Sequence, residues 1–187
     1  MNFVKNSIKT KKYQRGDFLV TLMIAIVIVA VIAAAAYSNM RDSNRDTTIN
    51  ESVKAVNLTA NALRSNFGIT GQYGSVTTAI AVQTNTIPAD ERISGTNTAQ
   101  NPFGGLITTT PSTLTSTNDA IDVAWPNIPP WACSRLVIGT QNSARKITVG
   151  GTAVKATDDK LVATTLTAQC DVAAPVTIVW SVGRTGA

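Results

Sequence analysis

The chain contains no histidine, so histidine general bases and histidine-ligated metal centres are excluded at the outset. Its two cysteines, Cys133 and Cys170, are too few for a four-thiolate zinc site. No phosphate-binding loop, dinucleotide fingerprint or serine-hydrolase elbow occurs, and no acid/base constellation stands out. The expectation is a protein that is not an enzyme and needs neither cofactor nor metal. Acidic residues are missing from the first 16 positions, where Lys5, Lys9, Lys11, Lys12 and Arg15 lie. The formal charge of +5 would by itself suggest a nucleic-acid partner. Its distribution removes that reading, because 11 basic and 11 acidic residues remain beyond position 16, a net of zero. The basic character belongs to a topology signal.

Directly behind that signal comes a run of apolar residues. Residues 18–36 contain 19 positions of which only Thr21 is polar, with no charge, glycine or proline. As a helix the run is about 28 Å long, close to the roughly 30 Å hydrocarbon thickness of a bilayer. In lipid its backbone must be bonded internally, which selects a helix. The basic end stays in the cytoplasm by the positive-inside rule and the rest of the chain crosses. A cleaved secretory signal is the competing reading, with Ala33, Ala34, Ala35 and Ala36 as small-residue cleavage positions. The length of the run, and a helical pattern that continues past Tyr37, favour a retained helix.

Residues 38–46 are polar all round, and then Ile49, Val53, Val56, Ala60, Leu63 and Phe67 recur at spacings of four and three. That is the apolar stripe of an amphipathic helix, with Asn50, Lys54, Asn57, Asn61 and Arg64 mostly off it. No proline interrupts residues 17–67, so one helix of about 75 Å is expected to leave the membrane and pack into a domain. It ends near Gly68, a helix-stop glycine followed by Gly71 and Gly74. Residues 68–105 read as an irregular connection with one apolar patch, Ile80-Ala81-Val82, and Asp90-Glu91-Arg92 as a solvated turn. Asn50-Glu51-Ser52 and Asn57-Leu58-Thr59 match the N-glycosylation pattern but lie on the expected helix and read as coincidence.

Beta structure is expected from there on. Asn101-Pro102-Phe103-Gly104-Gly105 is turn chemistry. Residues 106–110 and 114–116 read as short strands split at Pro111, and residues 120–125 as a strand with Ile121, Val123 and Trp125 inward. Pro126-Asn127-Ile128-Pro129-Pro130 should break it and open a helix over residues 131–138, with Cys133, Leu136 and Val137 on one side. Gly150-Gly151 between residues 146–149 and 152–156 predicts a two-residue hairpin. Residues 163–169 suit a short helix or an extended approach to Cys170, and residues 176–182 a buried strand. Asp158-Asp159 beside Lys160 reads as a turn. With both cysteines on the exported side, the expectation is one Cys133–Cys170 disulfide, worth about 4 kcal/mol by chain-entropy arithmetic.

A basic segment, a glycine and then an immediately apolar helix, with Leu19, Val20, Leu22 and Met23 at the apolar positions, resembles the amino terminus of type IV prepilins. Phe103-Gly104-Gly105, Asn127-Ile128-Pro129-Pro130, Cys133-Ser134-Arg135-Leu136-Val137 and Cys170, in that order, are similar to type IVb pilins of the toxin-coregulated and conjugative thin-pilus kind. The resemblance implies cleavage by a prepilin peptidase between Gly16 and Asp17, and N-methylation of Asp17. The chain departs from the family at Asp17, usually apolar, and at Thr21, where nearly all members carry a glutamate thought to pair with a neighbour's terminal amine.

The fold implied is α+β. A long N-terminal helix, its hydrophobic half protruding, packs on an antiparallel sheet head with short helices and one disulfide. Its segments are a cleaved leader (1–16), a transmembrane and filament-core helix (17–37), an amphipathic continuation (38–67) and the head (68–187). The implied function is a structural subunit of a pilus serving conjugation, adhesion or aggregation. Its partners would be other copies and other pilins, the peptidase, an inner-membrane platform, an assembly ATPase and a secretin, with no nucleic acid. Before assembly it would sit in the inner membrane as a single-pass protein with its head in the periplasm, and afterwards in an extracellular filament. The alternatives are a minor pilin or pseudopilin at a filament tip, and a membrane-anchored periplasmic binding module that does not polymerise.

Overall fold

The computed structural model describes residues 15–68 and 73–184, which leaves most of the expected leader and Gly71 outside. Helix α1 covers Arg15–Leu63 and closes in a π-helical turn, Arg64–Gly68. The chain divides into two compact units, residues 1–44 and 45–187, and each is considered by itself. In the first, every residue from 19 to 44 is exposed. Among the described residues α1 is the one helix apolar and long enough, by length and composition, to cross a membrane.

In the second unit the expected stripe is the packed face of α1. Ile49, Val56, Ala60, Leu63 and Phe67 are buried, and Val53 is packed against the same core. Ser52 and Thr59 are buried on this face too, so neither glycosylation match presents its hydroxyl residue to solvent. Burying each large side chain of the stripe contributes roughly 1.5–3 kcal/mol, and one polar substitution there forfeits that gain. Helix α2 (Thr78–Gln83), strands β1 (Ala99–Gln100), β2 (Leu106–Ser112) and β3 (Ala120–Ile128), helix α3 (Pro130–Thr140), strands β4 (Lys146–Val149) and β5 (Thr152–Lys155), helix α4 (Ala163–Cys170) and strand β6 (Val176–Gly183) complete the unit. The sheet is antiparallel throughout, in the order β1-β2-β3-β6-β4-β5. Gly150 and Gly151 both have positive φ, 57° and 85°, and join β4 to β5 as expected. Strand β6, last of the six in the chain, is inserted between β3 and β4.

Proline misled the strand boundaries twice. Strand β2 runs through Pro111, opposite Ile121, and residues 114–116 form a turn. Thr109 N–H points away from β3 and donates to Thr78 Oγ1 at 2.9 Å. Pro111 has the same parity, so its missing donor falls on the open edge, where proline costs nothing. Strand β3 likewise continues past Pro126 to Ile128, through a register shift between Trp125 and Ile128 with Asn127 at φ 64°. Residues 73–105 are also more ordered than expected. Thr77 caps α2 by accepting from Ile80 N–H at 3.4 Å, and a 3₁₀ turn, Ala89–Glu91, buries Glu91 where a solvated turn was expected.

The core is closed by Trp125 and Trp180, edge to face with centroids 5.7 Å apart, and Trp180 Nε1–H donates to Thr140 Oγ1 at 2.8 Å. Helix α3 crosses α1 at Gly139, where a Cβ would come within 2.7 Å of Val53 Cγ2. Any side chain there must push the helices apart. Because the stripe is covered within the second unit, deleting residues 1–40 should leave a soluble monomer with mixed α/β circular dichroism. A truncate that stays aggregated in mild buffer would mean that the stripe faces a partner.

Candidate functional site

Two features stand out among the described residues: an apolar stretch of helix without cover, and a head held firmly to the amphipathic part of that helix. Gly16 and Asp17 fall in the first turn of α1, and Thr21 lies on its exposed apolar stretch. The helix has no proline or glycine between Asp17 and Leu63, so nothing in its backbone chemistry breaks the ladder. Leu19, Met23, Val27 and Val31 are each more than half exposed, and such a surface requires lipid or other helices around it.

The head is fastened to α1 at several points. Arg64 donates from Nη2 to the Ser143 carbonyl at 2.7 Å and from Nε to the Gly183 carbonyl at 3.3 Å. Ser143 bonds the Asn57 side chain. Farther along, Lys155 Nζ donates to the carbonyls of Gln141 and Ala144, both at 2.6 Å, and satisfies acceptors at the end of α3. Cys133 on α3 and Cys170 on α4 form the expected disulfide, with Cα atoms 5.6 Å apart. The bridge ties the two short helices together across one end of the sheet.

The landmarks Phe103-Gly104-Gly105 and Asn127-Ile128-Pro129-Pro130 meet in space. Asn101 accepts from Phe103 and Gly105 N–H at 2.9 and 3.0 Å and donates to the Pro126 carbonyl at 2.7 Å, joining the β1–β2 turn to the β3 bulge. A Cβ on Gly105 would stand 2.3 Å from that carbonyl, which explains the glycine. Phe103 then packs edge-on against Trp131, centroids 5.8 Å apart, and Arg45 covers the Trp131 ring at 5.0 Å. The Asp46–Arg135 ion pair is more than half exposed on both sides and adds little.

Two charged groups have no signal in the sequence. Arg145 is 5 % exposed; its Nε donates to both oxygens of Asp158, at 2.8 and 3.1 Å, and its Nη1 lies 3.7 Å from Asp119. Those hydrogen bonds raise the Arg145 pKa and hold Asp158 below its ordinary value. Burial pushes Asp119 up, but hydrogen bonds from Leu114, Thr115 and Ser116 outweigh it and leave the carboxyl well below the usual range. Nothing in a lone Arg-Lys dipeptide announces such a hub. Glu91 is the other, pushed up to about 7 by burial and then by Asp90 and Glu51.

The family model described as PilS N terminal matches residues 45–182. The chain belongs to that family. Two solved structures share its fold, each with a TM-score of 0.57. TcpA, described as a type IV pilin from Vibrio cholerae El Tor biotype, is 17 % identical, with 72 % of this chain and 98 % of that chain covered. The type IV b pilin from Salmonella typhi is 20 % identical, with 73 % and 99 % covered. No curated protein matches the chain significantly. The PilS family match spans the amphipathic part of α1 and nearly all of the head.

Arg145→Met should lower head stability by roughly 1–3 kcal/mol in denaturant titration, since Asp158 and Asp119 lose a shared donor. Glu91 works in the opposite sense with pH. Its ionisation costs the folded head more than the unfolded chain, so its contribution is present below pH 4.5 and is lost as pH rises through about 7. The basic residues that line a cleft together with Glu91 are Lys54 and Arg92. Glu91→Gln should therefore raise the melting temperature increasingly between about pH 5 and pH 8, relative to the parent.

Proposed function

We propose that this PilS-family chain is a pilin, a structural subunit of a type IVb pilus that polymerises through its N-terminal helix. The exposed apolar stretch of α1 carries the reading, joined as it is in one chain to a head with the fold of two proteins described as type IV pilins. Such a helix is stable in a bilayer before assembly and in a bundle of identical helices afterwards, because both surround it with apolar groups. The segments are then a leader over 1–16, cut between Gly16 and Asp17, a core helix over 17–37, its amphipathic continuation over 38–67 and the head over 68–187. Asp17 becomes the methylated amino terminus. A prepilin peptidase, a membrane platform, an assembly ATPase and a secretin act on the chain, which waits in the inner membrane with its head outside the cytoplasm.

Thr21 favours a particular place in that filament. A glutamate here is costly in lipid and is offset only by a partner charge, and Thr21 avoids the cost while forfeiting the attraction. The Asp17 carboxylate lies beside its own amine at the interface, where water and salt screen it. The subunit therefore assembles poorly alone, or enters where a partner's acidic residue is not required, as at a tip. The test is sheared filament protein per cell, with its amino-terminal residue determined. Processed protein should begin at Asp17, Gly16→Val should abolish cutting, and Thr21→Glu should increase incorporation severalfold. An amino terminus near Tyr37 would point to a conventional signal peptide and overturn the pilin reading. Abundant homopolymers of the Thr21 protein, reduced by Thr21→Glu, would leave the pilin reading intact and remove the tip assignment.

A further inference from the structure

A cleft of about 630 Å³ opens on the head between α1, the segment around the 3₁₀ turn Ala89–Glu91 and the β1–β2 turn. Ala55, Leu58 and Ile93 give it apolar walls, and three carboxylates share it: Glu51, Asp90 and Glu91. Glu91 is the unusual member. It is only 7 % exposed, and among the described residues its carboxylate accepts no hydrogen bond and forms no ion pair. A carboxylate on a residue so largely buried, with no partner in the protein, is costly to ionise. The two basic residues of the cleft do not serve it. Arg92 is held by the Asn85 side chain, and Lys54 makes no ion pair among the described residues.

The missing partner is a cation, and the walls say which kind. The three carboxylates of the cleft are not placed to hold a metal ion together, and no such group occurs among the described residues. A compact divalent cation also gains nothing from Leu58 and Ile93. An ammonium on an alkyl stem fits both halves, because it offers three donors to a carboxylate and a methylene chain to apolar walls.

We propose that this cleft binds an alkylammonium group, with Glu91 accepting its hydrogen bonds and Leu58 and Ile93 flanking its methylenes. The group is supplied by a free primary amine or by a lysine of a second copy, and the latter source rests on the pilin reading above. A charge-assisted contact in this cleft sets binding through one residue, so loss of the Glu91 charge weakens it at least about tenfold.

The probe is cadaverine, titrated into the full-length chain in detergent and followed by carboxyl carbon NMR of labelled glutamate, with calcium chloride in a parallel titration. Saturable cadaverine binding that shifts Glu91 is expected, weakened at least about tenfold in Glu91→Gln. Leu58 is about half exposed, so Leu58→Lys should fold normally and block the cleft with an ammonium of its own. A carbodiimide arm on sheared filaments separates the sources. A Glu91–lysine bond between copies identifies the neighbour, whereas cadaverine coupled to Glu91 with no link between copies identifies a free amine. Three results overturn the proposal: no saturable binding together with no such link, binding indifferent to Glu91→Gln, or calcium binding with equal or greater strength. Failure to find filaments would count against the pilin reading, while the cadaverine titration still decides the cleft.

Discussion

The burial of one face of α1 beneath the sheet is the contact on which the rest of the head depends. Ile49, Val56, Leu63 and Phe67 supply its centre, and the sheet answers with Ile121, Val123, Trp125 and Trp180. Without that helix the inner face of the sheet would be open to water. The polar fastenings work around this contact. Arg64 reaches the loop after α3 and the end of β6, and Gly139 removes the side chain that would hold α3 away from Val53. Since the same helix carries the uncovered apolar stretch, the head is joined to its anchor by continuous helical backbone and needs no linker.

Periodic and paired signals were legible in the sequence. The four-and-three spacing from Ile49 to Phe67 named the packed face of α1, the Gly150-Gly151 pair placed its hairpin, and α3 and the cysteine pair lie where residue pattern and compartment put them. The misses have a common physical origin. Pro111 is tolerated because its missing N–H falls on an open edge and Pro126 because it sits in the register shift between Trp125 and Ile128, and both are tertiary properties. The short helix α2 depends on a single threonine cap, a signal that is weak beside its β-branched residues.

The charged groups were harder still. Asp158 reads as part of a turn, and it is in one, with a φ of 60°. The same turn delivers its carboxylate to Arg145, which lies 13 residues earlier in the chain. Glu91 looks, by its neighbours in the chain, like one member of a solvated trio. Its burial comes from α1 passing beside the 3₁₀ turn, which no local pattern encodes. Both cases illustrate why isolated charges resist reading: their role is set by what folds over them, whereas an apolar stripe carries its own instruction.

The central position of β6 has a consequence for the order in which the head takes shape. Strands β2 and β3, and separately β4 and β5, pair with near neighbours in the chain and close early. Until β6 arrives, each presents an unpaired edge, and nothing joins the two halves of the sheet. A chain that emerges amino end first therefore holds two halves of a sheet with open edges until its sixth strand is available to join them. In this architecture the last strand of the sheet is the one that covers both inner edges, those of β3 and β4.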